Sequence, residues 1–185
     1  METAVREYLD QYEYKLCRHL LRICTARGEL QGKLLESEDI IQYWQHIEPN
    51  YIADAIPQIA DYPTVSVAWA AYLGMAVATL WDKDWTLGKY KPYESYYGNK
   101  GFDDMDDHIL QEILGLSLSC PEARQTISLT QTLAQETVTF IRHEQIEPQS
   151  PMAFYTFSRS CRAMYAIGAS IQLHRMGYKY EKSHL

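Results

Sequence analysis

The chain has 185 residues, a length that suits one domain with a sizeable core, and it carries a formal net charge of −7. With 46% hydrophobic and 22% charged residues, its composition excludes a disordered chain. The negative charge repels phosphate backbones and therefore argues against nucleic acid as a partner.

The first predicted element is an amphipathic helix over residues 3–26, where apolar residues recur at i, i+3 and i+4 spacing. Charges run through the first 16 residues without an apolar segment. This start is therefore not a signal peptide, and we expect a cytoplasmic protein. The chain has no CxxC pair, which favours free thiols in a reducing compartment. The four cysteines are Cys17, Cys24, Cys120 and Cys161.

Two further helices are predicted next. Ser37 is a suitable N-cap for the second helix, and Pro49 is expected to interrupt it. Residues 64–81 carry no charge, and a helix of 18 residues is just long enough to cross a bilayer. Nine of these 18 residues are Ala, Gly, Ser or Thr, and no Lys/Arg cluster flanks them. We interpret them as a central helix that ends near Asp84 and is surrounded by protein, with no membrane partner.

Residues 85–102 predict a long loop that is rich in tyrosine. A loop of this length is more often functional or mobile, and tyrosines are enriched at interfaces. Three interpretations stay open: a loop folded onto the bundle, a protein interface, and a ligand lid. If the loop is an interface, replacing Tyr93, Tyr96 and Tyr97 by alanine should weaken association and leave the thermal stability of the protein nearly unchanged. The candidate ligand-binding residues here are Lys89, Tyr90, Lys91, Tyr93, Tyr96 and Tyr97.

The next predicted helix, residues 103–118, begins with four aspartates in five positions. On a helical wheel Asp106 falls within the apolar arc, Asp103 and Asp107 at its edge, and Asp104 away from it. Acidic residues are favoured in the first turn of a helix, so capping accounts for the cluster without a ligand. The alternative is a Mg²⁺ site formed by Asp103, Asp106 and Asp107, because carboxylate oxygens suit hard cations.

The spacing D-D-x-x-D at residues 103–107 resembles the aspartate-rich motif of isoprenoid synthases, which are also all-helical. In that family the first and last aspartates of the motif bind magnesium that holds a diphosphate. The resemblance covers these five residues. It implies that Asp103 and Asp107 hold Mg²⁺ in an enzyme that acts on a phosphate or diphosphate compound.

Two long helices complete the chain. Pro121 lies near the first position of one, and Ser150 with Pro151 forms an N-cap and N1 pair for the other, which runs to about residue 176.

The last of these helices contains three arginines, Arg159, Arg162 and Arg175, and no acidic residue. Buried or half-buried arginines need acidic partners, and we expect Asp106 or Asp107 to pair with Arg159 or Arg162. The same two arginines are candidate ligand-binding residues.

Together these elements predict an all-α fold, a bundle of six or seven helices over residues 1–176 with a flexible tail at 177–185. The sequence has no P-loop, dinucleotide-binding loop or nucleophile elbow. We therefore expect a binding module, without a cofactor, that recognises a protein partner or a second copy through residues 85–107. The alternative is the Mg²⁺-dependent enzyme, and the sequence leaves enzymatic activity open.

Overall fold

The computed structural model describes residues 1–179, and within this range it contains six α-helices and no β-strand. The predicted all-α bundle is confirmed. Residues 180–185, which belong to the predicted tail, lie outside the described range. The helices are α1 (Thr3–Ala26), α2 (Glu38–Ala55), α3 (Pro63–Gly88), α4 (Met105–His108), α5 (Pro121–His143) and α6 (Pro151–Arg175).

Helix α3 lies at the centre of the bundle because its residues 64–81 carry no charge on any side. Helices α2, α5 and α6 pack around it, and its residues between Ser66 and Ala78 are almost all buried. In the described part of the chain it alone is long and apolar enough to span a membrane, and 67% of its apolar window is buried by the rest of the protein. A helix surrounded by protein is what its composition predicts.

Helices α3 and α6 meet backbone to backbone at two glycines. A Cβ atom at Gly74 would lie 2.7 Å from the amide nitrogen of Ala169, and one at Gly168 would lie 2.7 Å from the carbonyl carbon of Ala71. Such distances are well inside van der Waals contact, so neither position accepts a larger residue without movement of a helix. These glycines therefore set how closely the two central helices approach.

The outer helices each bury one face. Helix α1 packs its apolar stripe against α5 and α6, and α2 packs against α3 and α6. Pro49 does not interrupt α2, contrary to the sequence prediction, and lies inside the helix. A proline in a helix interior costs about 3 kcal/mol. Burial on both sides of it, at Ile47 (1% exposed) and Tyr51 (0% exposed), offsets that cost.

Helices α5 and α6 begin where the sequence predicts. The Oγ of Ser150 accepts a hydrogen bond from the backbone N–H of Ala153 at 3.1 Å, and Pro151 takes the N1 position. Cys120 caps α5 more weakly, since its Sγ accepts from the N–H of Ala123 at 3.4 Å. These caps fix the starts of both long helices.

The predicted loop at residues 85–102 is shorter and more regular than expected. Helix α3 continues past a kink at Asp84 (φ −164°, ψ 96°) and ends at Gly88. Two 3₁₀ turns then follow, Tyr93–Tyr96 and Phe102–Asp104. Most of residues 85–102 therefore belong to helical turns or other hydrogen-bonded turns and not to an irregular loop.

The helix predicted over residues 103–118 is also shorter than expected. Helix α4 passes directly into a π-helical turn at Ile109–Ile113, and the chain turns at Gly115 with a φ of 69°. Ile109 and Leu110 are fully buried in this turn, so burial of the apolar side chains favours the wider backbone geometry.

Candidate functional site

The tyrosines of the 85–102 segment are mostly part of the core. Tyr96 is 0% exposed and Tyr93 is 4% exposed, whereas Tyr90 is 76% exposed. The Tyr43 hydroxyl lies 3.1 Å from that of Tyr96 and donates a hydrogen bond to the Lys91 carbonyl at 2.9 Å. These contacts fasten the segment to α2, so Tyr93 and Tyr96 do not present their rings to a ligand.

Asp54 of α2 holds the same segment from a second side. The Tyr93 hydroxyl donates to its Oδ2 at 2.9 Å, and the Tyr97 hydroxyl donates to the same oxygen. Burial, and then these contacts with Asp54, raise the pKa of both tyrosines. Both phenols are therefore neutral donors at any physiological pH.

Arg159 and Arg162 lie away from the tyrosines and bind acids of α1. Arg159 Nη1 lies 2.7 Å from Asp10 Oδ1 and 2.8 Å from Glu13 Oε2. Arg162 forms a two-pronged contact with Glu13, with Nε at 2.7 Å from Oε1. The expected pairing with Asp106 or Asp107 is therefore wrong.

These arginines join α1 to α6 and are not available to a ligand. A cavity of about 300 Å³ lies beside them between α1, α2 and α6, with Glu13 and Arg162 on its wall. Because those two charges are bonded to each other, neither is available to a ligand in the cavity. The predicted ligand-binding residues thus lie in four different environments. Tyr93 and Tyr96 are buried, Lys91 and Tyr97 are partly buried, Lys89 and Tyr90 are exposed, and Arg159 and Arg162 belong to an ion-pair network.

The four aspartates have separate environments. Asp104 is partly buried, not solvent-facing as predicted, and both of its carboxylate oxygens accept from the backbone N–H of Lys100, at 3.0 and 3.1 Å. Asp103 and Asp107 are exposed, and Asp106 is partly buried. Within residues 1–179 no group of three His, Cys, Asp or Glu side chains is placed to hold a metal ion. Asp103, Asp106 and Asp107 are thus not brought together as Mg²⁺ ligands.

The inward direction predicted for Asp106 agrees with its burial. Desolvation raises its pKa from 3.8 to about 6, although backbone hydrogen bonding at Asp107 and Asp106 opposes the rise. In the folded protein the carboxyl group therefore takes up a proton as the pH falls through 6, well before the unfolded chain does. In the described part of the chain no arginine forms an ion pair with it, so the ionised form is a cost at neutral pH.

We expect Asp106→Asn to stabilise the protein at pH 7.5 and to have little effect at pH 4. Between about pH 4 and 6 the folded state binds the proton and the unfolded state does not, so this residue's contribution to stability falls as the pH rises through that window. A shift of two pKa units corresponds to about 3 kcal/mol, which partial exposure reduces to about 1 kcal/mol. Urea denaturation at both pH values measures it. Asp103→Asn, at an exposed position, is the control, and an equal gain at pH 4 would contradict the explanation.

An open apolar groove lies at the end of the bundle where α3 and α6 begin and α5 ends. Its volume is about 670 Å³, which falls within the range of about 300–1,000 Å³ typical of small-molecule sites. The residues before α3 form one wall, and the α5–α6 connection with the first turns of α6 forms the other. The apolar lining is formed by Ile56, Ile59, Ala60, Pro63, Val67, Val138, Ile141, Pro148, Ala153, Phe154 and Phe157.

Large apolar side chains are exposed around this groove. Ile56, Ile59 and Phe154 are 42%, 41% and 47% exposed, and all three line it. Tyr62 (61% exposed) directly precedes the lining residue Pro63, and Tyr155 (37% exposed) packs its ring against Phe154. Exposed apolar surface of this kind is costly in water and marks sites of interaction.

The rim of the groove is stiff. Pro63 and Pro148 line it, and Pro57 and Pro151 lie in the adjacent turns. Gln149, also in the lining, has a φ of 62°, an unfavourable left-handed conformation for a residue with a side chain. Fixed proline dihedrals limit the movement of both walls, so the groove is formed before any ligand arrives.

No family model, no curated protein and no solved structure matches the chain.

Proposed function

We propose that the protein is a binding module whose groove takes the apolar part of a small amphipathic molecule. The observation that carries this proposal is the groove itself, an open concavity of about 670 Å³ with an apolar lining and three large exposed apolar side chains on its walls. Covering such surface is favourable by roughly 25 cal/mol for each Å² removed from water. The protein has a binding role in this proposal, as expected from the sequence, but at a different surface.

The shape of the groove supports a small molecule as the occupant. Its volume suits a compact ligand, and the prolines on its rim limit the entropy lost on binding. The surface at residues 85–107 supports a protein partner less well, because Tyr93 and Tyr96 are buried and Tyr97 is bonded to Asp54. A Mg²⁺-dependent activity likewise lacks support from the separated aspartates at residues 103–107.

Binding of a neutral, environment-sensitive dye such as Nile red tests the proposal. We expect the protein to bind the dye and to enhance its fluorescence, and the double variant Ile59→Gln, Phe154→Gln to bind it at least tenfold more weakly. Each replacement removes an apolar contact worth about 1 kcal/mol or more, and 1.4 kcal/mol is a tenfold change in affinity. Both side chains are more than 40% exposed, so the fold keeps its core.

The matched control is Leu87→Gln, Tyr90→Gln. These side chains are also apolar and exposed, at 72% and 76%, but they lie beyond the kink at the other end of α3. The control variant should bind the dye as the unmodified protein does. Equal weakening by both double variants, or no binding by the unmodified protein, would refute the groove as the site.

A further inference from the structure

We propose that the molecule bound in the groove is an anion, an aliphatic monocarboxylate whose carboxylate is held by Arg142. This inference rests on the proposed function, because it names the chemical class of the ligand for the same groove. Within residues 1–179, Arg142 is the one charged side chain in the lining, and no carboxylate lines the groove with it. The chain as a whole has a net charge of −7, whereas the groove carries one positive charge. This charge favours negatively charged ligands over neutral or positive ones.

The side chain of Arg142 is free to bind such a ligand. It forms no hydrogen bond or ion pair with any residue between 1 and 179. By contrast, the donors of Arg159, Arg162 and Arg175 are directed at glutamates of α1 and of the segment that follows it. A guanidinium group presents parallel N–H donors that match the two oxygens of a carboxylate.

A single negative charge fits the groove better than a larger one. The start of α6 offers few free donors, because Pro151 has no N–H and the N–H groups of Ala153 and Phe154 are already bonded to Ser150. Among the residues that the structure describes, one guanidinium is then the only charged group in the lining, and it neutralises one carboxylate. The remainder of the lining is apolar or uncharged and suits an alkyl chain.

Calorimetric titration with three straight-chain probes tests the inference. Decanoate, decanol and decyltrimethylammonium have alkyl chains of nine or ten carbons and differ mainly in the charge of the head, and each is used below its solubility limit or micelle-forming concentration. We expect decanoate to bind about tenfold more tightly than decanol, as one charge-assisted contact supplies, and decyltrimethylammonium to bind most weakly. High salt should reduce the preference for decanoate.

Two arginine variants test whether Arg142 causes the preference for decanoate over decanol. Arg142→Gln should bind decanol as before and lose the preference for decanoate. Arg124→Gln is the matched control, because this arginine is also exposed and on α5, but it lines none of the cavities described above and lies 18 residues away, about 27 Å along the helix. The control should keep the full preference.

The outcomes separate the two proposals. If decanoate and decanol bind equally well, or if Arg142→Gln keeps the preference, the inference about the anion is overturned while the groove remains the site. If neither probe binds the unmodified protein, the proposed function fails as well. If binding is lost only in Ile59→Gln, Phe154→Gln and the preference only in Arg142→Gln, both stand.

Discussion

Replacement of Tyr96 by alanine is expected to lower the free energy of unfolding by about 3–5 kcal/mol, the usual cost of removing a large buried ring. The Tyr96 side chain is 0% exposed, and its hydroxyl lies 3.1 Å from the Tyr43 hydroxyl. The substitution opens a cavity and removes a buried hydrogen bond. Urea denaturation followed by circular dichroism measures the loss.

Tyr90→Ala is the matched control for this experiment, since the two tyrosines are six residues apart in the same segment. The Tyr90 side chain is 76% exposed, so its loss should change the free energy of unfolding by no more than about 0.5 kcal/mol. Similar effects of the two substitutions would mean that the segment does not pack against α2 as described. Tyr96→Phe isolates the hydroxyl and should cost about 1 kcal/mol.

Gly168→Ala is expected to destabilise the protein by about 3 kcal/mol, although alanine is the better helix former by about 1 kcal/mol. The added methyl group would lie 2.7 Å from the carbonyl carbon and 2.8 Å from the Cα atom of Ala71. Both atoms belong to the backbone of α3, so no side-chain rotation relieves the clash. The two helices must move apart, and contacts along their whole length weaken.

Gly88→Ala, the control for this substitution, lies in the last turn of α3. A Cβ atom there would meet its nearest neighbours, in Leu80 and Trp85, at 3.4 Å, which is ordinary contact. This variant should be as stable as the unmodified protein or up to about 1 kcal/mol more stable. A stabilising effect of Gly168→Ala in the same denaturation assay would contradict the close approach of α3 and α6.

The sequence predicts the helices well where local signals define them. The start of α6 follows from Ser150 and Pro151, whose cap and fixed dihedral act within one turn. The central place of α3 follows from the absence of charge over residues 64–81. The break predicted at Pro49 is wrong, because burial of the residues on both sides outweighs the tendency of proline to end a helix.

Long-range pairings were harder to predict. The spacing of Tyr93 and Tyr96 in the sequence is compatible with an interface and with a core. Only their contacts with α2 in the folded structure show that they belong to the core. The need of the α6 arginines for acidic partners is predictable, but the choice of partner is not. Glu13 lies almost 150 residues earlier in the chain, and only the folded structure brings it, rather than Asp106, next to Arg162. The inward direction of Asp106 was predictable because it depends on one helix alone.

The groove was missed because its two walls are about 90 residues apart in the chain. A signal exists in each wall. Ile56 and Ile59 stand among prolines and polar residues where no helix stripe requires them, and Phe154 lies on the outer side of the first turns of α6. Each alone is an ordinary exposed apolar residue, and only the packing of α6 against α3 brings them to one site.

The contact between α3 and α6 also governs the order in which the chain can fold. Gly74 and Gly168 are 94 residues apart, so this contact closes a very long loop and forms late and at an entropic cost. During synthesis α3 leaves the ribosome long before α6 exists to cover it. The charge-free part of α3, residues 64–81, therefore stays uncovered on one side until α6 is made and packs against it.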